Sequence, residues 1–553
     1  MRGAGLARRR LAPVGPFPLI GLLAMLCGYG VPAHLAAQDI EVLSALSGRP
    51  LPSGYYEQVA RQPDFFQIQA GWTQRVSPSW KGVPARGTLP VLVVNVLFAD
   101  SPEPTVDETE VRRALFDGPS AYGTVTQYFE EVSGGRITLD GEVTAWVRTS
   151  LTLAEVVGSS YGLGSDSRMG QFLWEALTAI DSLIDWGRFD NDGPDGIPNS
   201  GDDDGEVDVV AFQFTEVSAP CGGPGPWPHR ARIRSWRPTP FVTSGRRPDG
   251  SPIVVNDYII QSAVDCDGVE AQTPAVIAHE LGHVFGLPDL YDSTGGIEPQ
   301  HRRWVVGCWS LMAAGAWGCG PGDAPINALR PTHMGPWEKG ILGWLDEVVS
   351  VQGVREKEYV LAPVRQSGRV LRVPLNDNEY LLIEYRDQAG FDQDLPAGGV
   401  LIYHIDPTLP LRPCATCEKV YRVALVEADD NDGLVRTALE GGNRGEAGDA
   451  FAHAGAASYS LATRPRLRPN SGPASPVVIH SITVADGLAR VVISTDRIPA
   501  ERLLDHFLGS IRAGEGHELS EAELRFLDEL GNGNGQFDVG DLRAYLNAFG
   551  IGS

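Results

Sequence analysis

The stretch "HELGHVFGLPDLYD" at residues 279–292 brings two imidazoles, a neighbouring carboxylate and two further acids into one short run. A spacing of four puts His279 and His283 about one turn apart on one helix face, so both rings can converge on one ion. Glu280 sits beside the first histidine, placed to hydrogen-bond a water on that ion without ligating it. Gly286 permits a left-handed exit from the helix, and the returning chain presents Asp289 as a third donor. Three protein donors and one open position are what a hydrolytic zinc site needs. The chemistry open to this set is attack by water on a carbonyl carbon, with Glu280 as general base.

Such a set needs a helix and a rigid support. Thr273 followed by Pro274 reads as an N-cap and first helical position, and "PAVIAHELGHVFG" predicts the helix up to Gly286. "LPVLVVNVLFAD" and "EVDVVAFQF" are apolar runs of the kind buried in a sheet. Between them, "VRRALFDGPSAYGTVTQYFEEVSGGRITLDGEV" reads as helix followed by a strand pair. The alternation predicts an α/β domain over residues 87–346. After it come short β-branched runs separated by Asn, Asp, Gly and Pro, which predict a β-rich, sandwich-like domain over 347–496. Residues 500–553 turn helical around a Gly/Asn-rich loop, as a small appended module.

At 553 residues the chain is too long for one core, in keeping with several domains. Arg2, Arg8, Arg9 and Arg10, the run "LIGLLAMLCGYG" and the small residues of "AHLAAQD" give residues 1–37 the layout of a secretory signal peptide. The apolar run is too short to span a bilayer, so a secreted protein without a membrane span is expected. The formal net charge is −25, and removing the leader takes away arginines alone. So acidic a chain is not expected to bind nucleic acid. Six cysteines remain after the leader, and export suggests disulfides. Proximity favours Cys308–Cys319 and Cys414–Cys417, leaving Cys221–Cys266.

"VTQYFEEVSGGRITLDGEV", "AHELGHVFGLPDLYD", "GCWSLMAAGAWG", "GPWEKGILGWL" and "YLLIEYRDQAGFDQDLPAGGVLIYHID" together resemble the immune inhibitor A (M6) family of secreted bacterial zinc metallopeptidases, a metzincin branch. The likeness covers roughly residues 88–495. It implies an α/β (α+β) metzincin-like zinc peptidase domain acting on protein and peptide substrates. Carried across by position, His279, His283 and Asp289 are the zinc ligands, Glu280 activates the zinc-bound water, and Met312 forms the methionine turn. Asp292 and Glu298 compete for the third ligand position, and a different zinc peptidase clan would use an acid such as Glu338. Ala314 stands where many metzincins have a tyrosine. Tyr291 or His229 could polarise the substrate carbonyl instead, or both could be packing residues. The rival expectation is a catalytically inactive, calcium-stabilised extracellular binding protein on a peptidase fold.

"FDNDGPDGIPNSGDDDGEVD" holds alternating carboxylates, and Asp190, Asp192, Asp204 and Asp208 are candidate calcium ligands. The family often carries an uninterrupted Asp-x-Asp-x-Asp-Gly version here, into which this chain inserts "PDGIPNSG". The tail "LDELGNGNGQFDVGDLRAYLNAF" resembles half of a dockerin-type EF-hand, with Asn532, Asn534, Asp538 and Asp541 at ligand positions. Leu530 stands at position one, where Asp528 could substitute. One copy where dockerins have two argues against a cohesin-type partner. Residues 38–86 read as a pro-segment or linker, without a cysteine for a thiolate switch. An acid there such as Asp64 could cap the zinc in a zymogen.

Overall fold

The run "GTLPVLVVNVL" forms strand β1 (Gly87–Leu97), buried from Leu89 onward on both faces. Leu89, Val91 and Val93 face one apolar cluster, while Leu92, Val94 and Val96 face another. An uninterrupted apolar run is what a strand covered on both sides requires. The coordinates are those of a computed structural model, which describes residues 49–62, 65–66, 85–193, 195–292, 301–322, 328–411, 420–453, 455–512 and 519–551. The expected leader, Asp64, Glu298, Cys414 and Cys417 lie outside the described residues.

Around β1 the chain builds α1 (Val125–Ser133), β2 (Ile137–Val143), α2 (Met169–Ile180), β3 (Val210–Phe214), β4 (His229–Arg232), β5 (Asp257–Ser262), α3 (Ala275–Val284) and α4 (Pro336–Leu342). The sheet order is β2-β1-β3-β5-β4, with a two-residue strand, Val147–Arg148, also paired to β1. All pairs are parallel except β5 with β4, the antiparallel edge. A mixed α/β layout is therefore present. The sheet divides two cores: α1 and α3 pack on one face, and α2 packs on the other. At the start of α1, Thr124 and Gln127 form a reciprocal capping box.

The described part of the segment read as pro-segment or linker is packed. A helix spans Ser53–Arg61, and Leu51, Tyr55, Phe65 and Phe66 are buried in the cluster that holds α2. The ring of Phe65 meets Trp236 edge-on at 4.6 Å.

Beyond Leu345, the strands Glu347–Ser350, Arg369–Pro374, Tyr380–Arg386, Gly399–Ile405 and Val423–Leu425 form one sheet. Lys357–Leu361, Tyr459–Ser460, Val478–Ala485 and Leu488–Ser494 form a second. Leu371, Ile383 and Ile402 of the first share a core with Leu361, Ile479 and Val491 of the second, a sandwich arrangement. The other face of the first sheet is also buried: Leu382, Leu401 and Tyr403 join the core of α3. Arg386, fully buried on that face, pairs with Asp392 and Glu384 and donates to the Trp309 carbonyl at 3.1 Å.

The tail folds as three helices, Ala500–Arg512, Glu521–Leu530 and Val539–Ala548, around Leu527, Leu542 and Tyr545. No helix among the described residues is long and apolar enough to cross a membrane. Cys221 bonds Cys266, and Cys308 bonds Cys319, with Cα separations of 5.1 and 5.3 Å.

Candidate metal centre

Helix α3 begins one residue later than the sequence predicts. Pro274 occupies the cap position without a side-chain hydrogen bond, so Thr273 does not cap the helix. Its far end behaves as expected. Gly286 takes φ +83°, a conformation glycine adopts without the Cβ clash, and its N–H donates to the His283 carbonyl at 2.8 Å. The turn sends Leu287 and Asp289 back across the end of the helix.

That return brings the motif together. Asp289 Oδ1 lies 3.4 Å from Nε2 of His279 and 3.4 Å from Nε2 of His283. The imidazoles stand nearly perpendicular, with centroids 4.8 Å apart. A tetrahedral ion with bonds of about 2.0–2.1 Å spaces its donors roughly 3.3–3.4 Å apart, which both histidine–aspartate distances match, and all three donors lie within 4.8 Å of one another. The opposite ring nitrogens are engaged: His279 Nδ1 bonds the Leu311 carbonyl at 2.8 Å, and His283 Nδ1 bonds the Leu287 carbonyl at 2.9 Å. A carbonyl only accepts, so each Nδ1 carries the proton and each Nε2 keeps its lone pair for a metal.

Glu280, 2% exposed, adjoins His279 on α3. Met312 is fully buried beneath the helix, and a Cβ on Gly282 would lie 2.4 Å from its sulfur. The strap holding Asp289 is tied to that floor, since the Leu290 N–H donates to the Met312 carbonyl at 2.7 Å. In turn, Met312 N–H donates to Ser310 Oγ at 3.0 Å, and Ser310 donates to Glu338.

The competing donors are occupied elsewhere. Asp292 pairs with Arg303 and accepts from the Tyr421 hydroxyl at 2.8 Å. Glu338 caps the start of α4, and burial pushes its carboxyl up to about 7. Tyr291 packs at a tilt against Trp304, with ring centroids 5.6 Å apart, and lies under the Arg302 guanidinium. His229 bonds the Trp227 carbonyl and the Tyr258 hydroxyl on β4, and burial lowers its pKa to about 4. Its neighbours Phe66, Trp236 and Tyr258 surround it with rings.

The aspartate loop also gathers, with one change of membership. Asp190, Asp192 and Asp203 bring one oxygen each within 4.8 Å. Asp203 replaces the expected Asp204, which is exposed, while Asp208 accepts the Asn191 N–H at 2.8 Å. Three consecutive aspartates gave the sequence no means of choosing among them. Asp190 is fully buried, its Oδ2 has no hydrogen-bond partner, and burial raises its pKa to about 7. A hard cation suits such a set.

In the tail loop, Asn532 and Asn534 donate to Asp538, and Asp541 accepts from the Asn532 and Asp538 N–H groups. Asp528 accepts the Gly535 N–H at 3.0 Å, so it rather than Leu530 closes the loop. Its carboxylates form no three-acid cluster among the described residues.

Residues 112–345 match the family described as "Immune inhibitor A peptidase M6, catalytic domain". Immune inhibitor A of Bacillus thuringiensis subsp. alesti is 30% identical over 293 residues, covering 48% of this chain and 40% of that protein. Pre-pro-metalloprotease PrtV of Vibrio cholerae serotype O1 (strain M66-2) is 28% identical over 246 residues, covering 41% of this chain and 24% of that protein. The chain thus spans less than half the length of the curated relatives it matches. The region that carries the convergent donors is similar to M6 metallopeptidase catalytic domains, which supports that family and a peptidase activity for it.

Proposed function

We propose that this chain is an exported zinc endopeptidase that hydrolyses peptide bonds of extracellular proteins. The observation that carries the reading is the convergence of His279 Nε2 and His283 Nε2 on Asp289 Oδ1, each 3.4 Å from it, with the three donors within 4.8 Å of one another. Zinc held by these donors would supply Lewis-acid polarisation of the scissile carbonyl and bring the pKa of a water down to about 7. The Leu311 and Leu287 carbonyls fix the two rings, so no reorganisation is needed when a substrate arrives. Glu280 takes the proton of the attacking water at its carboxylate and passes it to the leaving amine. Met312 gives the donor set a dry, unyielding floor.

The leader and pro-segment accord with the name of the Vibrio relative, a pre-pro-metalloprotease. Calcium at Asp190, Asp192 and Asp203 would relieve the repulsion of three clustered acids and stiffen the loop before β3.

The test is Glu280→Ala. It should retain one zinc per chain while losing casein cleavage by at least about 10²–10⁴-fold, the usual worth of a positioned acid–base. Cleavage at the parent's rate would refute the mechanism. A parent that holds zinc yet cleaves no peptide would favour the inactive binding protein.

A further inference from the structure

A separate group of acids sits in the sheet region beyond the metal centre. Glu427, Asp429 and Asp449 each offer one carboxylate oxygen, and the three oxygens lie within 4.8 Å of one another. Asp449 is fully buried and Glu427 is 7% exposed. Each keeps one buried oxygen, Asp449 Oδ1 and Glu427 Oε2, with no hydrogen-bond partner. Their remaining oxygens are used. The Leu434 N–H donates to Glu427 Oε1 at 2.9 Å, and Trp309 Nε1 donates to Asp449 Oδ2 at 2.7 Å. Among the described residues, no basic side chain forms an ion pair with any of the three. Buried carboxylates packed together without a counter-charge bear both desolvation and mutual repulsion, and a cation removes both.

We propose that Glu427, Asp429 and Asp449 form a calcium site that ties together the two ends of loop 427–449, the loop whose backbone pairs with the segment carrying Met312. Carboxylate oxygens alone select a hard cation, and exposed Asp429 gives it a way in. Gly448 lets the acids close up, because a Cβ there would lie 2.1 Å from Asp429 Oδ2. The segment paired with this loop, residues 305–320, runs on both sides of Met312. The Val305 N–H donates to the Leu434 carbonyl, the Cys308 N–H to the Arg444 carbonyl, and the Gly320 N–H to the Gly445 carbonyl, at 2.6–2.9 Å. Two residues beyond Trp309, the Leu311 carbonyl holds His279. Calcium here would therefore steady the floor of the zinc centre from the neighbouring sheet.

The experiment uses the full chain, zinc-loaded and freed of calcium, with calcium binding measured by equilibrium dialysis. Glu427→Gln/Asp429→Asn should bind one calcium fewer than the parent and lose part of the calcium-dependent rise in melting temperature. An undiminished calcium count in that variant would overturn the proposal. Should the variant fail to fold, Asp190→Asn/Asp192→Asn decides the matter. With the other cluster disabled, terbium should give tryptophan-sensitised emission through Trp309, and calcium should quench it by displacement. No calcium-displaceable emission would overturn the proposal, and displacement by magnesium but not calcium would overturn the choice of ion.

Discussion

Replacing Glu379 by glutamine should cost stability that depends on pH in one definite direction. Glu379 is fully buried, and five donors face its carboxylate. Asn376 Nδ2, the Ser471 N–H and Ser471 Oγ donate to Oε1 at 2.8–2.9 Å. The Asn470 N–H donates to Oε2 at 2.6 Å, and His404 Nε2 lies 2.9 Å from the same oxygen. Burial alone would push the carboxyl up, but the donors outweigh it and bring it from 4.5 down to about 2. A gap of that size corresponds to roughly 3 kcal/mol of differential stabilisation of the carboxylate. Because the folded value is the depressed one, this contribution is fully present above the unfolded value near 4.5. It is lost as pH falls from there towards 2. Glu379→Gln keeps the shape but turns an amide nitrogen towards groups that are themselves donors. Urea unfolding followed by tryptophan fluorescence should show a deficit of about 3 kcal/mol at pH 7 that shrinks steadily below pH 4.5. A deficit that stays constant down to pH 3, or one under about 1 kcal/mol at neutral pH, would refute the reasoning.

Two further outcomes follow from the packing. Gly282→Ala should destabilise the metal-free protein by about 1 kcal/mol. The overpacking cost of forcing Met312 aside, about 1–3 kcal/mol, exceeds the gain of about 1 kcal/mol in helix propensity. Denaturation with zinc removed measures this, and an increase in stability would mean that the floor yields freely. Tyr55→Ala, at a side chain 2% exposed, should cost about 3–5 kcal/mol. A cost under about 1 kcal/mol in the same assay would show that residues before 62 are dispensable to the folded domain.

Much of the candidate metal centre was legible in the sequence because its geometry is local. A spacing of four on a helix fixes the relation of His279 to His283, and a glycine at φ +83° fixes the return of the chain towards Asp289. The continuous apolar run of β1 likewise announced a sheet covered on both faces. The tertiary fold alone decided which distant groups meet these elements. Any residue could have supplied the carbonyls of Leu287 and Leu311 that orient the imidazoles, since a backbone oxygen leaves no mark in composition. Asp203 was chosen over Asp204 by burial, which depends on the direction each side chain takes in the folded loop. The meeting of Asp449 with Trp309 spans 140 residues and two sheets, beyond any local rule. Short-range patterns obey helix and strand geometry and can be read from the chain. Contacts between elements depend on how whole faces pack, and only the assembled cores settle that.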